Sequence, residues 1–238
     1  RVMKLMLPTI FSSSVAQVNL LIGTIFASLL VPAAQSWLYY SDRLTELPLG
    51  LFGVAIGTVI LPQLSRNHAD ADTVGYSKSL DWGLRMVLLV GLPAAAGLAL
   101  LAEPLTAALF RHGRFTAFDT QMVGYALTAM SAGIPAFMLS KVLSPAFFAR
   151  QDTKTPMRAA ILAVIANVLL ALALTTPLWL NNTPGAHGGI ALATALAGIF
   201  NAWLLWRYLR RAGLHQPQPG WGRFGLRLLL ACVVMGAV

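Results

Sequence analysis

The run "WLYYSDRLTELPLGLFGVAIGTVILPQL", Trp37 to Leu64, decides the fold. Beyond the charged turn at Asp42, Arg43 and Glu46 it carries no ionisable side chain as far as Leu64. That length of apolar chain matches the ~20 residues a helix needs to cross ~30 Å of hydrocarbon. Similar runs flank it on both sides. The chain is 57% hydrophobic and only 11% charged, with a mean hydropathy of +0.70, outside the range of an ordinary soluble domain. Helices are expected, because an isolated span has no other way to satisfy its backbone in lipid, and the short alternating strands of a β-barrel are absent from the sequence.

Six spans and the start of a seventh are predicted: Pro8 to Leu30, Trp37 to Leu64, Trp82 to Ala102, Gln121 to Phe148, Met157 to Leu178, Gly188 to Leu209, and Phe224 to Val238. The fold class is an all-α integral membrane protein, a six-helix transporter lobe plus the start of a further transmembrane helix. Residues 1–210 form the lobe, 211–221 a cytoplasmic linker and 222–238 a truncated helix. Arg1 to Leu7 does not read as a signal peptide, and a chain that stops within an apolar run is expected to be a fragment of a longer protein.

Short cytoplasmic loops carry the excess of Lys and Arg. With the start inside, thirteen basic residues face the cytoplasm: Arg1, Lys4, Arg66, Lys78, Arg85, Arg150, Lys154, Arg158, Arg207, Arg210, Arg211, Arg223 and Arg227. Only Arg111 and Arg114 lie outside. The net charge of +9 is therefore read as topology and lipid-headgroup contact, not as nucleic-acid binding, since the charges are spread over loops without a stacking platform.

Arg43 and Lys141 fall inside predicted spans, where an ionised group costs ~2.5–3.5 kcal/mol and usually faces protein or a water-filled cavity. Helical spacing puts Ser36, Tyr39, Arg43, Glu46, Gly50, Gly53 and Gly57 on one stripe, either lining a cavity or letting another helix approach closely. A bend is expected after Pro48, which removes a hydrogen bond to the carbonyl of Leu44. The bland alternative is that Arg43 and Glu46 neutralise one another at the outer interface, with Arg43 snorkelling. Thr9, Ser13, Gln17 and Thr24, with Asn19 off their line, give span one a weaker polar face. Asn167, Thr194 and Asn201 add polar groups to spans five and six. Cavity lining and interhelical glue both account for these.

Catalytic constellations are scarce. His68, His112, His187 and His215 are expected as solvated loop histidines without metal-ligand spacing. The single cysteine, Cys232, excludes an intramolecular disulfide, and no phosphate-loop motif occurs. Asp70 and Asp72 sit in a hydrophilic linker, and Pro104 to Asp119 reads as an external connection with its apolar residues along the membrane surface.

Several motifs recur in one order: "LPTIFSSSVAQVNLLIGTIFASLL", "WLYYSDRLTELPLGLFGVAIGTVILPQLSR", "DWGLR", "GRFTAFDT" and "ARQDTKTPMR". Over essentially the whole chain they resemble the second half of the MurJ (MviN) family of bacterial lipid II flippases, within the superfamily of multidrug exporters and polysaccharide flippases. The resemblance implies two six-helix lobes around a central cavity with two further helices, this chain covering helix seven to part of helix thirteen. It implies transport of lipid II, an undecaprenyl-pyrophosphate-linked precursor, across the bacterial cytoplasmic (inner) membrane by alternating access, with membrane lipids and the missing N-terminal lobe as partners, no nucleic acid and no enzymatic step. By the same resemblance Arg43 matches the cavity arginine of the second lobe, Ser36, Asp42 and Glu46 match neighbouring cavity positions, and Lys141, in "SKVLSP", matches a further basic position. Tyr39 joins them through the helical stripe.

No cofactor or metal is expected. Some relatives are described with a sodium site built partly from carboxylates on helices matching spans one, five and six, and these spans hold no Asp or Glu here. Membrane potential, at ~2.3 kcal/mol per charge per 100 mV, is the expected driving force. Two rivals stand beside this reading. One is a flippase or exporter of another substrate in the same superfamily. The other is an intramembrane glycosyltransferase or polymerase, for which Glu103 and Asp119 are the outward acids.

Overall fold

A computed structural model of the chain describes Gln17 and residues 21–31, 33–181 and 183–237, most of them helical. Among the described residues ten α-helices follow in order: α1 (Leu21–Leu30), α2 (Ala34–Pro48), α3 (Val54–Ala69), α4 (Thr73–Leu100), α5 (Ala102–Phe110), α6 (Ala117–Ser131), α7 (Ile134–Phe148), α8 (Lys154–Leu180), α9 (His187–Arg211) and α10 (Trp221–Ala237). No strand occurs among the described residues. Thr9, Ser13 and Asn19, together with Arg1 and Lys4, lie outside them.

Among the described residues four helical segments are long and apolar enough to span a bilayer, and the bent α6–α7 pair, taken as one span, makes a fifth. Their hydrophobic side chains split into two populations. Leu47, Leu51, Ile165, Leu169 and Val233 are exposed, while Ile60, Leu64, Leu80, Met138 and Leu205 are sealed inside. Half of the apolar window of α9 is buried, against 22% for α8, which makes α9 the central element. It packs on α6, α7 and α8.

Two cores result. One joins α3, α4, α7 and α9 near the basic end, where the Tyr76 hydroxyl donates to the carbonyl of Ala146. The other joins α1, α2, α6 and α9 around Trp37, Met122, Val123 and Ile190.

Three expectations change. The second span is a single 36-residue segment, Ala34–Ala69, in which a π-helical turn over Leu49–Gly53 directly follows Pro48. The missing N–H of Pro48 is absorbed by widening the helix, and the extra residue per turn rotates everything beyond it. The third span starts earlier than hydropathy suggests, at Thr73, because Asp72 caps it by accepting from the Gly75 amide at 2.7 Å. The fourth span is not one helix. It breaks between α6 and α7 with a 43° bend. Pro135, second in α7, has no N–H to give the preceding turn. A β-carbon on Gly133 would come within 2.8 Å of the Ala195 backbone. Close helix approach therefore coincides with the break.

Candidate functional site

The Trp37 end of the bundle is stitched by buried polar groups, and this stitching positions α2. Ser41, fully buried, donates its hydroxyl to the carbonyls of Trp37 at 2.8 Å and Val123 at 3.0 Å. The Trp37 indole N–H donates to Asp119 Oδ1 at 2.8 Å. Asp119 also closes a capping box with Thr116 at the start of α6, accepting from its amide at 2.8 Å. His187 Nε2 lies 2.8 Å from the Met122 carbonyl, with its ring 4.9 Å from that of Trp37.

With that face anchored, the opposite face of α2 is open. A cleft of about 370 Å³ is bounded by α1, α2, α6, α8 and α9. Its polar lining comprises Thr24, Gln35, Ser36, Asp42, Asn167 and Thr194, with Tyr39 beside them. Thr24, Asn167 and Thr194 thus belong to the cleft, whereas Asn201 donates to Ser140 at 3.2 Å and links α9 to α7.

One turn along α2 from Tyr39, Arg43 projects from the same side. Its Nη1 donates to Glu46 Oε2 at 2.6 Å, and its guanidinium lies 4.9 Å from the Tyr39 ring centroid. Both charged side chains remain about half exposed, 53% and 54%, so their pairing contributes little stability and leaves the planar N–H fork accessible. Asp42 forms no ion pair with Arg43. It is half-buried and turns toward the cleft instead.

The stripe predicted from spacing divides at the π turn. Ser36, Tyr39, Arg43, Glu46 and Gly50 stay open, but Gly53 and Gly57 face α7. A β-carbon at Gly53 would lie 3.6 Å from Lys141 Cγ, and one at Gly57 would lie 3.2 Å from the Lys141 carbonyl. Those glycines let α7 approach. Lys141 is exposed and does not line the cleft; its Cγ lies beside Gly53 in the π turn.

Two expectations about histidine are corrected. His68 is exposed near the end of α3 and His112 lies in a connection, but His187 and His215 are 2% and 7% exposed. Each sits beside a buried polar partner, which hydropathy cannot register. Asp119, an acid considered for catalysis, is instead engaged by Thr116 and Trp37. Within the segment 104–119, predicted as an external connection, α5 runs to Phe110 and packs against α6, which begins at Ala117.

Sequence reasoning passed over a second polar cluster. Asp81 on α4 is 2% exposed and accepts from the Trp221 indole at 2.6 Å and the Gln218 amide at 3.3 Å. Arg85 Nε lies 2.8 Å from its carboxylate, and the guanidinium donates at 3.2 Å to the carbonyls of Gln218 and Pro219. Ser77 exchanges hydrogen bonds with Gln216. A single face of α4 thereby clamps residues 212–220 and the start of α10. The i, i+4 acid-to-base pair at the edge of an apolar run was the available signal.

The described residues thus form a multi-helix membrane bundle that keeps a polar, cation-bearing face of α2 open beside a cleft. The solved MATE-family multidrug transporter in its outward-facing conformation shares this fold, with a TM-score of 0.73 at 17% identity over 88% of this chain and 45% of that one. A family model described as lipid II flippase MurJ matches residues 1–238, and the chain belongs to that family. It is 43% identical over 246 residues to the probable lipid II flippase MurJ of Haemophilus influenzae, covering 100% of this chain and 46% of that protein. Against lipid II flippase MurJ of Burkholderia cenocepacia it is 42% identical over 238 residues, covering 100% and 45%. The structure titled lipid II flippase MurJ, inward closed conformation, matches with a TM-score of 0.81 at 27% identity over 97% of this chain and 46% of that one. The chain spans about half the length of the curated relatives it matches.

Proposed function

We propose that this chain forms one wall of the substrate cavity in a protein that flips lipid II from the inner to the outer leaflet of the bacterial cytoplasmic membrane. The observation carrying this reading is the open face of α2, where Arg43 keeps an accessible N–H fork beside a polar cleft inside a membrane bundle. A lipid-linked pyrophosphate needs such a surface. Its tail can stay in hydrocarbon, while the phosphates and the sugar-peptide head require a hydrated, cationic path. Arginine suits phosphate because its fork contacts two oxygens at once.

In this mechanism Glu46 and the Tyr39 ring hold Arg43 in the open rotamer, and Glu46 competes for the guanidinium so that phosphate is released. Asp42, with Ser36, Asn167 and Thr194, offers hydrogen bonds to the polar head within the cleft. Lys141 contributes long-range positive potential from beside the π turn. Alternating access moves this wall against a second lobe. In this reading membrane potential supplies the drive, at about 2.3 kcal/mol per charge per 100 mV.

Arg43→Ala and Arg43→Lys in the full-length protein, compared for lipid II translocation at matched membrane abundance, test the reading. Loss with Ala and incomplete rescue by Lys are expected. Unchanged transport with Ala overturns it. Sodium-dependent flux that ignores the membrane potential overturns the coupling.

A further inference from the structure

The motif "ARQDTKTPMR" has no part in the cleft, yet the fold gives it a place. At the basic end, Arg150 after α7, Arg158 in α8 and Arg211 closing α9 line a cavity of about 510 Å³ with His68, Tyr208 and the edge of Phe147. A smaller basin of about 250 Å³ between α3 and α4 continues from it through His68, Arg150 and Leu214.

These three arginines come from three different elements and share no carboxylate partner. The acids at this end are already engaged. Both oxygens of Asp152 are taken up at the start of α8, accepting from the amides of Lys154 and Thr155 at 3.1 Å and from the Thr155 hydroxyl at 2.6 Å. Asp70 faces Arg66, Asp72 caps α4, and Asp81 holds Arg85. Three arginines against one committed aspartate leave the cavity positive.

Topology alone does not require this convergence. A charge bias is satisfied by lysines and arginines anywhere in the loops, as Arg207 and Arg210 show by lying over the rings of Trp203 and Trp206. Gathering three guanidinium groups around one cavity costs mutual repulsion, which an anion of several oxygens would reverse. Trp203 and Trp206, of a residue type enriched at membrane interfaces, lie on α9, the helix that carries Arg211.

We propose that this cavity is a binding site for a phosphate group, distinct from the α2 cleft and independent of the transport reading. The phosphate belongs either to the headgroup of an anionic phospholipid or to a soluble phosphate compound. Arg150, Arg158 and Arg211 supply the charge-assisted hydrogen bonds, and Tyr208 adds a hydroxyl donor.

The test uses full-length protein, with Arg150→Gln/Arg158→Gln/Arg211→Gln set against the charge-matched Arg207→Gln/Arg210→Gln/Arg223→Gln. Native mass spectrometry reads retention of phosphatidylglycerol over phosphatidylcholine. Titration of inorganic pyrophosphate is read separately in phosphatidylcholine nanodiscs. Each cavity arginine is worth about fivefold, so the cavity triple loses about a hundredfold while the charge-matched triple keeps most of the binding. Selective loss of phosphatidylglycerol assigns the phosphate to lipid, and selective loss of pyrophosphate assigns it to a soluble compound. Equal losses in the two triples, or wild-type protein that binds neither probe, overturn the site. If the cavity triple does not fold, Arg211→Gln alone decides, with a fivefold loss expected and no change overturning the proposal.

Discussion

Replacing Asp81 with Asn isolates the clamp that holds α10 to the bundle. The substitution keeps the shape and one acceptor oxygen but removes the charge, leaving Arg85, whose side chain is 26% exposed, without a counter-ion. Removing one partner of a buried ion pair costs about 3–5 kcal/mol. Arg85 keeps its hydrogen bonds to the carbonyls of Gln218 and Pro219, and its position 5.2 Å from the Trp221 ring, which brings the expected cost to about 2–3 kcal/mol. That corresponds to about a thirty- to hundredfold rise in local opening of the linker. Hydrogen exchange of residues 214–221, measured in the full-length protein, reads the change directly. The amides of Gln216 and Gln218 should lose protection first, because their acceptors are Ser77 and Asp81 themselves. Asp119→Asn acts at the other end of the bundle and should leave these amides alone. Unchanged protection in Asp81→Asn would refute the clamp as the element that docks α10.

His215 gives the same clamp a pH dependence. Burial pushes its pKa below the ordinary histidine value, and the nearby Asp81 carboxylate, 3.5 Å from Nε2, only partly offsets that. The folded state therefore binds the proton less readily than the unfolded one. Docking is full above about pH 6.5 and weakens as the pH falls below it, a slope that His215→Asn should flatten in exchange measured between pH 5 and pH 8. At the α6–α7 break, Gly133→Ala drives a β-carbon into the Ala195 backbone and the Phe137 ring, and should cost about 1–3 kcal/mol, read as a lower melting temperature of the full-length protein. A melting temperature equal to wild type would show that α7 and α9 can separate freely there.

Much of the architecture was legible because hydropathy and positive charge act locally. The existence and approximate centre of each apolar span follow from transfer free energy summed over consecutive residues, and where both are described the observed helices overlie the predicted spans except at Leu101 and at the α6–α7 break. Helix ends were less legible. Asp72 and Thr116 begin helices by hydrogen bonds that hydropathy does not count, although the Thr116–Asp119 spacing of the capping box was present in "GRFTAFDT". The Arg43 stripe was half legible, for the period of an ideal helix holds until the π turn resets it, and Gly53 and Gly57 then rotate onto α7.

The sequence by itself determined that this chain crosses a bilayer several times, which of its few charges fall within predicted apolar spans, and which family it resembles. Each of these depends on short-range order along the chain. Tertiary structure decided which polar groups meet. Trp221 reaches Asp81 across 140 residues, Trp37 reaches Asp119 across 82, and Arg150, Arg158 and Arg211 collect around one cavity. Such pairings depend on helix rotation and crossing, which close packing sets for the whole bundle at once.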